Sequence, residues 1–419
     1  MRDVALCLMK GSRWIPSFLA KCFVIIACVL GFASHAVAER EASITFLSLS
    51  DIHFDPFIAC YVTKQKPCPL ILRLKSAPVD QWAALLAAGD QLKPAYRQDT
   101  GYPLFLASLA AAKAAADKYH VQFVWVLGDF LGHNLKKSYR QYAQDKSLSG
   151  YQAFINKTLA FVSLEVNKTF PNTDVYPVIG NNDTASWDYH VVPKGGFLGE
   201  TRDSWAPFIK NAANRAAFNA SFPYAGYYAV SVPGSPALKL IVLNTVLFSY
   251  KSQGAAADAA ALQQLRWLNQ QLQAAVDQHQ KVLIAMHIPM GIDVYASLRI
   301  RLFTLISLWH PRYAAEFKES LARYGDVIEG VFSGHLHSDW FQLYSVNNDH
   351  AIAMAGTPSI SPIFGNDPSF KVYRYNLSTE TLQDYYTYTL PIGSDEFDRT
   401  FQPNCHNCSF IEGVRVLQY

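Results

Sequence analysis

Ile44-Thr45-Phe46-Leu47-Ser48-Leu49-Ser50-Asp51-Ile52-His53 is a largely apolar run that stops on an acid and an imidazole. Its pattern predicts a strand over 44–50 with a turn at its carboxyl end. The same arrangement recurs along the chain. Phe123–Leu127 runs into Gly128-Asp129, Val175–Ile179 into Gly180-Asn181-Asn182-Asp183, Val282–Met286 into His287, and Val327–Ser333 into Gly334-His335-Leu336-His337. Leu238–Asn244 and Ala351–Ala355 read as further strands, and several of the seven are apolar on both faces, as central strands are. Between them Phe105, Leu109, Ala112 and Ala116 fall at helical spacing, as do Leu262, Leu265, Leu268, Leu272 and Val276. That alternation predicts an α/β fold. Open α/β sheets place ligands at the carboxyl ends of their strands, so five motifs far apart in sequence are expected on one edge.

An isolated Asp-x-His or Gly-Asp is ordinarily a turn or a satisfied polar pair. Five such motifs in order, each at a strand tip, fit a metal centre better than a scatter of core histidines. Two divalent ions about 3.5–4 Å apart need one carboxylate between them, and Asp129 is the natural bridge. Imidazole with carboxylate oxygen suits zinc, manganese or iron, and zinc is the favoured pair here. Such a pair makes a hydroxide nucleophile near neutral pH and stabilises charge on phosphoryl oxygens.

The motifs resemble those of the calcineurin-like metallophosphoesterase superfamily, and within it those of acid sphingomyelinase-like phosphodiesterases and their endopolyphosphatase relatives. Ser50 to Pro56, Gly128-Asp129 with His133, His287 to Gly291, Gly334 to Asp339 and Asn366 to Phe370 carry the likeness. The resemblance implies two mixed β-sheets sandwiched by helices. It implies a first metal site of Asp51, His53, Asp129 and His337, and a second of Asp129, Asn181, His287 and His335. One position departs: acid sphingomyelinases carry Gly-Asn-His at the third motif, where the His is a proton donor, and this chain has Asn182. An amide cannot deliver a proton. His133 is then the expected general acid, and Asn182 a hydrogen-bond donor to a phosphoryl oxygen. Purple acid phosphatases want Tyr where Gly132 stands, which disfavours a tyrosine-iron site. His120, His190, His279, His310, His350 and His406 fit no ligand position.

The 419 residues are 50% hydrophobic and 16% charged, enough to bury a large core and too apolar for disorder. Lys10, Arg13 and Lys21 precede an apolar run, Cys22 to Ala33, and the small-residue site Ala36-Val37-Ala38. Residues 1–38 therefore read as a cleaved signal peptide, with a secreted or periplasmic product expected and a membrane anchor as the alternative. Ile25-Ile26-Ala27-Cys28 is a weaker likeness to an acylation site. Residues 43–375 are expected to form the catalytic domain and 376–419 an extension packed on it. Without the leader, basic and acidic residues balance, so no nucleic-acid partner is expected. Cys60, Cys68, Cys405 and Cys408 remain, an even count that suggests disulfides. Cys60–Cys68 with Cys405–Cys408 is the most local pairing. Val294 to Trp309 crowds Leu298, Ile300, Leu302, Phe303, Leu305, Ile306, Leu308 and Trp309 around two arginines. It reads either as a buried helix or as an apolar rim giving peripheral contact with lipid or a greasy substrate.

The function expected from these residues is an exported two-metal hydrolase of phosphoric esters, in particular diesters, acting on a small phosphoester or phospholipid-like substrate. Two alternatives are an endopolyphosphatase cutting phosphoanhydrides and a catalytically weak metal-binding surface protein. Asn182 favours the endopolyphosphatase, and an absence of a Lys/Arg run near the motifs weighs against it.

Overall fold

A computed structural model describes residues 43–252, 254–293, 297, 305–346, 351–393 and 398–400. Twelve strands occur among them: β1 (Ser43–Leu49), β2 (Phe123–Val126), β3 (Asp174–Pro177), β4 (Tyr228–Val232), β5 (Ser235–Val242), β6 (Lys281–Ala285), β7 (Ile328–Ser333), β8 (Trp340–Ser345), β9 (Ala351–Gly356), β10 (Ser369–Asn376), β11 (Thr381–Thr389) and β12 (Asp398–Thr400). They form two six-stranded sheets, β12-β11-β10-β1-β2-β3 and β4-β5-β6-β7-β9-β8. Both are mixed. β1, β2 and β3 run parallel while β10, β11 and β12 pair antiparallel. β5, β6, β7 and β9 run parallel, with β4 and β8 antiparallel at the two edges. The architecture is the helix-flanked pair of mixed sheets that the family resemblance implies.

Aromatic side chains join the sheets. Phe46 of β1 stacks on Phe123 at 5.0 Å and on Tyr373 at 5.2 Å. Phe332 of β7 meets Phe46 edge-on at 5.7 Å and Trp125 at 4.7 Å. All five rings are fully buried or nearly so. Such offset and edge contacts add to the burial of large rings. The helix Ala255–Asp277 lays Leu265, Leu268 and Leu272 onto β5 and β6. The helix Tyr102–Lys118 buries Phe105, Leu109, Ala112 and Ala116 against β10 and the helix Leu148–Thr169. Ser147 caps the latter by accepting from the Gly150 N–H.

The seven expected strands all form, within a few residues of their expected ends. β4, β8, β10, β11 and β12 are not among the seven; β4, β8 and β12 are edge strands, which keep one side toward solvent and carry no continuous apolar run. Among residues 305–309 no helix forms. Ser307 and Trp309 make isolated bridges to Ile292 and Ser249, Trp309 is buried and Leu305 is exposed. The leader at 1–38, residues 298–304 and the Cys405–Cys408 pair lie outside the described residues. Cys60 and Cys68 are disulfide-bonded.

Candidate metal centre

Each strand tip turns sharply to deliver its side chain. Asp51, His53, Asp129, His335 and His337 all take left-handed backbone conformations, with φ between 46° and 70°. Such conformations cost a non-glycine residue about 1–3 kcal/mol and persist only where the surroundings hold them. Two glycines make the close approaches. A Cβ on Gly180 would fall on the backbone and carboxylate of Asp129, and one on Gly334 would fall on Ser50 Oγ and crowd Asp51.

The expected ligands converge in two groups, and His53 also joins Asp99 and His133 in a third. Asp51, His53 and His337 form one, and Asp129, His287 and His335 the other, each with ligand atoms within 4.8 Å of one another. Asp129 Oδ2 belongs to both, at 3.4 Å from His53 Nε2 and 3.3 Å from His287 Nε2. Asn181 Oδ1 lies 3.0 Å from His287 Nε2. All seven residues expected from sequence are therefore brought together. His53 Nδ1 and His287 Nδ1 face the carbonyls of Leu131 and Leu127 at 3.0 and 2.7 Å. Those contacts place the ring hydrogens on Nδ1 and turn both Nε2 lone pairs inward, as metal-ligating histidines require.

The electrostatics ask for cations at the same place. Burial alone would lower the His53 and His287 imidazoles, yet Asp129 and Asp51 raise them to about 10 and about 9. Burial alone would raise Asp51, but His337 and His53 hold it well below the usual carboxylate range. Burial and the neighbouring His287 push His335 down to about 3. Two buried carboxylates thus gather positive charge at Nε2 positions, and the donor set fits two divalent ions.

Two supporting residues, Asp99 and Asp183, have no role in the expected site. Asp99 accepts from the His133 backbone N–H at 2.7 Å and holds His133 Nδ1 at 3.0 Å through Oδ1, the oxygen to which Ser361 Oγ also donates. The His133 ring stacks on His53 at 4.0 Å, so it borders the first group instead of lying on an outer loop. Asp183 accepts four backbone N–H groups, from Asp129, Phe130, Leu131 and Gly180, tying the turn after β2 to the turn after β3. Asn182 donates from Nδ2 to Asp129 Oδ2 at 2.8 Å, which leaves it one further amide hydrogen. His190 bonds Ser186 and stacks on Trp187, away from the ligand set.

One expectation is corrected. Cations do stand near the motifs: Lys136, Lys137 and Arg140 occupy the helix Leu135–Tyr142 directly after His133, and line a pocket with Asn182. Lys136-Lys137 and Arg140 follow His133 in the sequence, and only the fold shows that they share a pocket with Asn182.

A family model of calcineurin-like phosphoesterases matches residues 44–339. The chain belongs to that family, and with its two ligand groups this supports a dinuclear divalent metal site. It is similar to sphingomyelinase phosphodiesterase D of Dictyostelium discoideum, 31% identical over 275 residues, which is 64% of this chain and 55% of that one. It is 26% identical over 236 residues to cyclic GMP-AMP phosphodiesterase SMPDL3A of Rattus norvegicus, covering 55% and 50% of the two chains. Acid sphingomyelinase-like phosphodiesterase 3b of Mus musculus matches at 26% over 356 residues, 82% and 70%. The matched region spans about half the length of the first two relatives. No helix of the described residues is long and apolar enough to cross a membrane.

Proposed function

We propose that this chain is a metal-dependent phosphodiesterase in which Asp51, His53, Asp129 and His337 hold one ion and Asp129, Asn181, His287 and His335 a second. The observation that carries this reading is the position of Asp129 Oδ2 within reach of an imidazole nitrogen from each group. When bound, the ions supply Lewis acidity to the phosphoryl group and lower the pKa of a water. Imidazole nitrogen with carboxylate oxygen suits zinc, with manganese or iron as the alternatives.

The chain's own residues handle substrate and proton. His133 has Nδ1 committed to Asp99, so Nε2 is the nitrogen that gives a proton to the leaving oxygen. The second amide hydrogen of Asn182 serves a phosphoryl oxygen. A pocket of about 610 Å³ lined by Met290, Leu336, Trp309 and Trp340 adjoins the turn that carries His335 and His337, and takes an apolar part of the substrate. Export through residues 1–38 is supported by the Cys60–Cys68 disulfide, which fits an oxidising compartment.

The test is hydrolysis of bis(p-nitrophenyl) phosphate by the full chain. Turnover that a chelator abolishes and zinc restores is expected. No turnover at two bound zinc, manganese or iron ions per chain overturns the reading.

A further inference from the structure

The turn 334–339 joins β7 to β8 and supplies two of the seven expected ligands, His335 and His337. Its front half is tied to the turns that carry other ligands: the Gly334 N–H donates to the His287 carbonyl at 3.0 Å and the His335 N–H to Asp51 Oδ2 at 2.9 Å. Its back half ends on Asp339, which the opposite sheet holds by both oxygens. Lys371 Nζ of β10 donates to Oδ1 at 2.5 Å, and Thr387 Oγ1 of β11 to Oδ2 at 3.1 Å. Lys371 and Thr387 are partners in the β10–β11 register, so one cross-strand pair grips the turn.

Lys371 is almost fully buried, its ammonium 4.1 Å from the centre of the Tyr385 ring and 5.7 Å from that of Tyr373. A buried ion pair adds little stability over apolar residues of the same size, because desolvating the charges offsets their attraction. What this one fixes is a position. Nδ1 of His53 and Nδ1 of His287 face backbone carbonyls that orient their rings, whereas His337 Nδ1 is buried without a hydrogen-bond partner. His337 Nε2 still lies 3.3 Å from Asp51 Oδ1 and 3.1 Å from His53 Nε2. The aim of that ring is therefore set by packing, with Phe364 edge-on at 4.6 Å, and by a backbone at φ 55°. Such a conformation persists only where the surroundings over-determine it, and Asp339 stands two residues on.

We propose that Lys371, acting through Asp339, is a positioning residue that keeps His337 aimed at the first metal position. The proposal rests on the ligand division in the phosphodiesterase reading and adds to it a residue outside the ligand motifs.

The experiment follows zinc binding to the metal-free full chain by competition with a chromophoric chelator, for the wild type, Lys371→Met, Lys371→Arg and Thr387→Val. Lys371→Met is expected to weaken one of the two zinc ions about 10–100-fold, the range for disturbing what orients a ligand, and to leave the other unchanged. Lys371→Arg, which keeps the charge, restores most of that affinity. Thr387→Val, which removes one bond and no charge, shows a smaller loss at the same ion. A double-mutant cycle assigns the ion: the loss should not add to that of His337→Ala and should add to that of Asn181→Ala. Turnover of bis(p-nitrophenyl) phosphate by Lys371→Met should fall at limiting zinc and recover at saturating zinc, which a general loss of packing would not allow. Unchanged affinities in folded Lys371→Met, equal weakening of both ions, or full additivity with His337→Ala overturn the role. Should Lys371→Met fail to fold, unchanged binding by Thr387→Val overturns it. Two tightly bound zinc ions with no wild-type turnover overturn the phosphodiesterase reading instead, and leave the zinc comparison in force.

Discussion

A carboxylate oxygen 3.4 Å from one imidazole nitrogen and 3.3 Å from another can serve two cations at once, and Asp129 Oδ2 is so placed. An amide in its place has one oxygen and no charge. Asp129→Asn is therefore expected to reduce bound metal below two ions per chain and remove nearly all turnover; two ions at wild-type activity in elemental analysis would contradict the assignment. The pair Asp99 and His133 acts at the same scale. His133→Ala is expected to cost about 10²–10⁴-fold on an alkyl diester and much less on a nitrophenyl diester, whose leaving oxygen needs little protonation. Asp99→Asn should follow the same pattern with a smaller loss, because it holds the ring by Nδ1 without meeting the substrate. Equal losses on both esters would make His133 a positioning residue.

At the scale of elements, five strand ends from two sheets are aimed at one volume, and the turns after them are packed backbone to side chain. Gly334 shows how tightly: its α-carbon faces Ser50 and Asp51 from the end of β1. Gly334→Ala is expected to displace Asp51 and weaken metal binding about 10–100-fold, the range for disturbing what orients a ligand. Titration of the metal-free variant with zinc reads this directly, and wild-type affinity would refute it. The Cys60–Cys68 bridge closes a short loop ahead of the helix Pro69–Ser76 and includes no proposed ligand. Its loss should cost about 2–3 kcal/mol of stability from loop entropy and leave the specific activity of the folded fraction nearly intact. Denaturant melts paired with assays separate the two effects.

Across the whole molecule, buried charge links metal binding to stability. His53 and His287 are raised to about 10 and about 9, above the unfolded value of 6.5. A group raised on folding stabilises fully below its unfolded pKa, and that contribution is lost as pH rises through the folded one. The metal-free chain should therefore lose thermal stability between about pH 6.5 and pH 10. Zinc-loaded chain should not show this decline, because the ligating histidines then carry no proton on Nε2. Melting temperatures measured with chelator and with zinc test this, and parallel curves would count against the ligand set.

The seven ligands were legible because each sits within four residues of an apolar run, and the α/β alternation put those runs in parallel strands whose tips share an edge. The residues alone thus indicated the fold class, the strand-tip motifs and the bridging role expected of Asp129, while the division of the proposed ligands into two sites came from the family resemblance. Tertiary structure alone decided that Asp99 orients His133, that Asp183 ties two turns together, and that Lys136, Lys137 and Arg140 share a pocket with Asn182. It also decided which strands lie at the edges, since β4 and β8 lack the continuous apolar runs of the centre. The physical reason is one of range. A strand and its tip are written in adjacent residues by periodicity and turn chemistry, whereas a hydrogen bond across 34 residues or a charged wall built from two separate segments exists only once packing has brought them together.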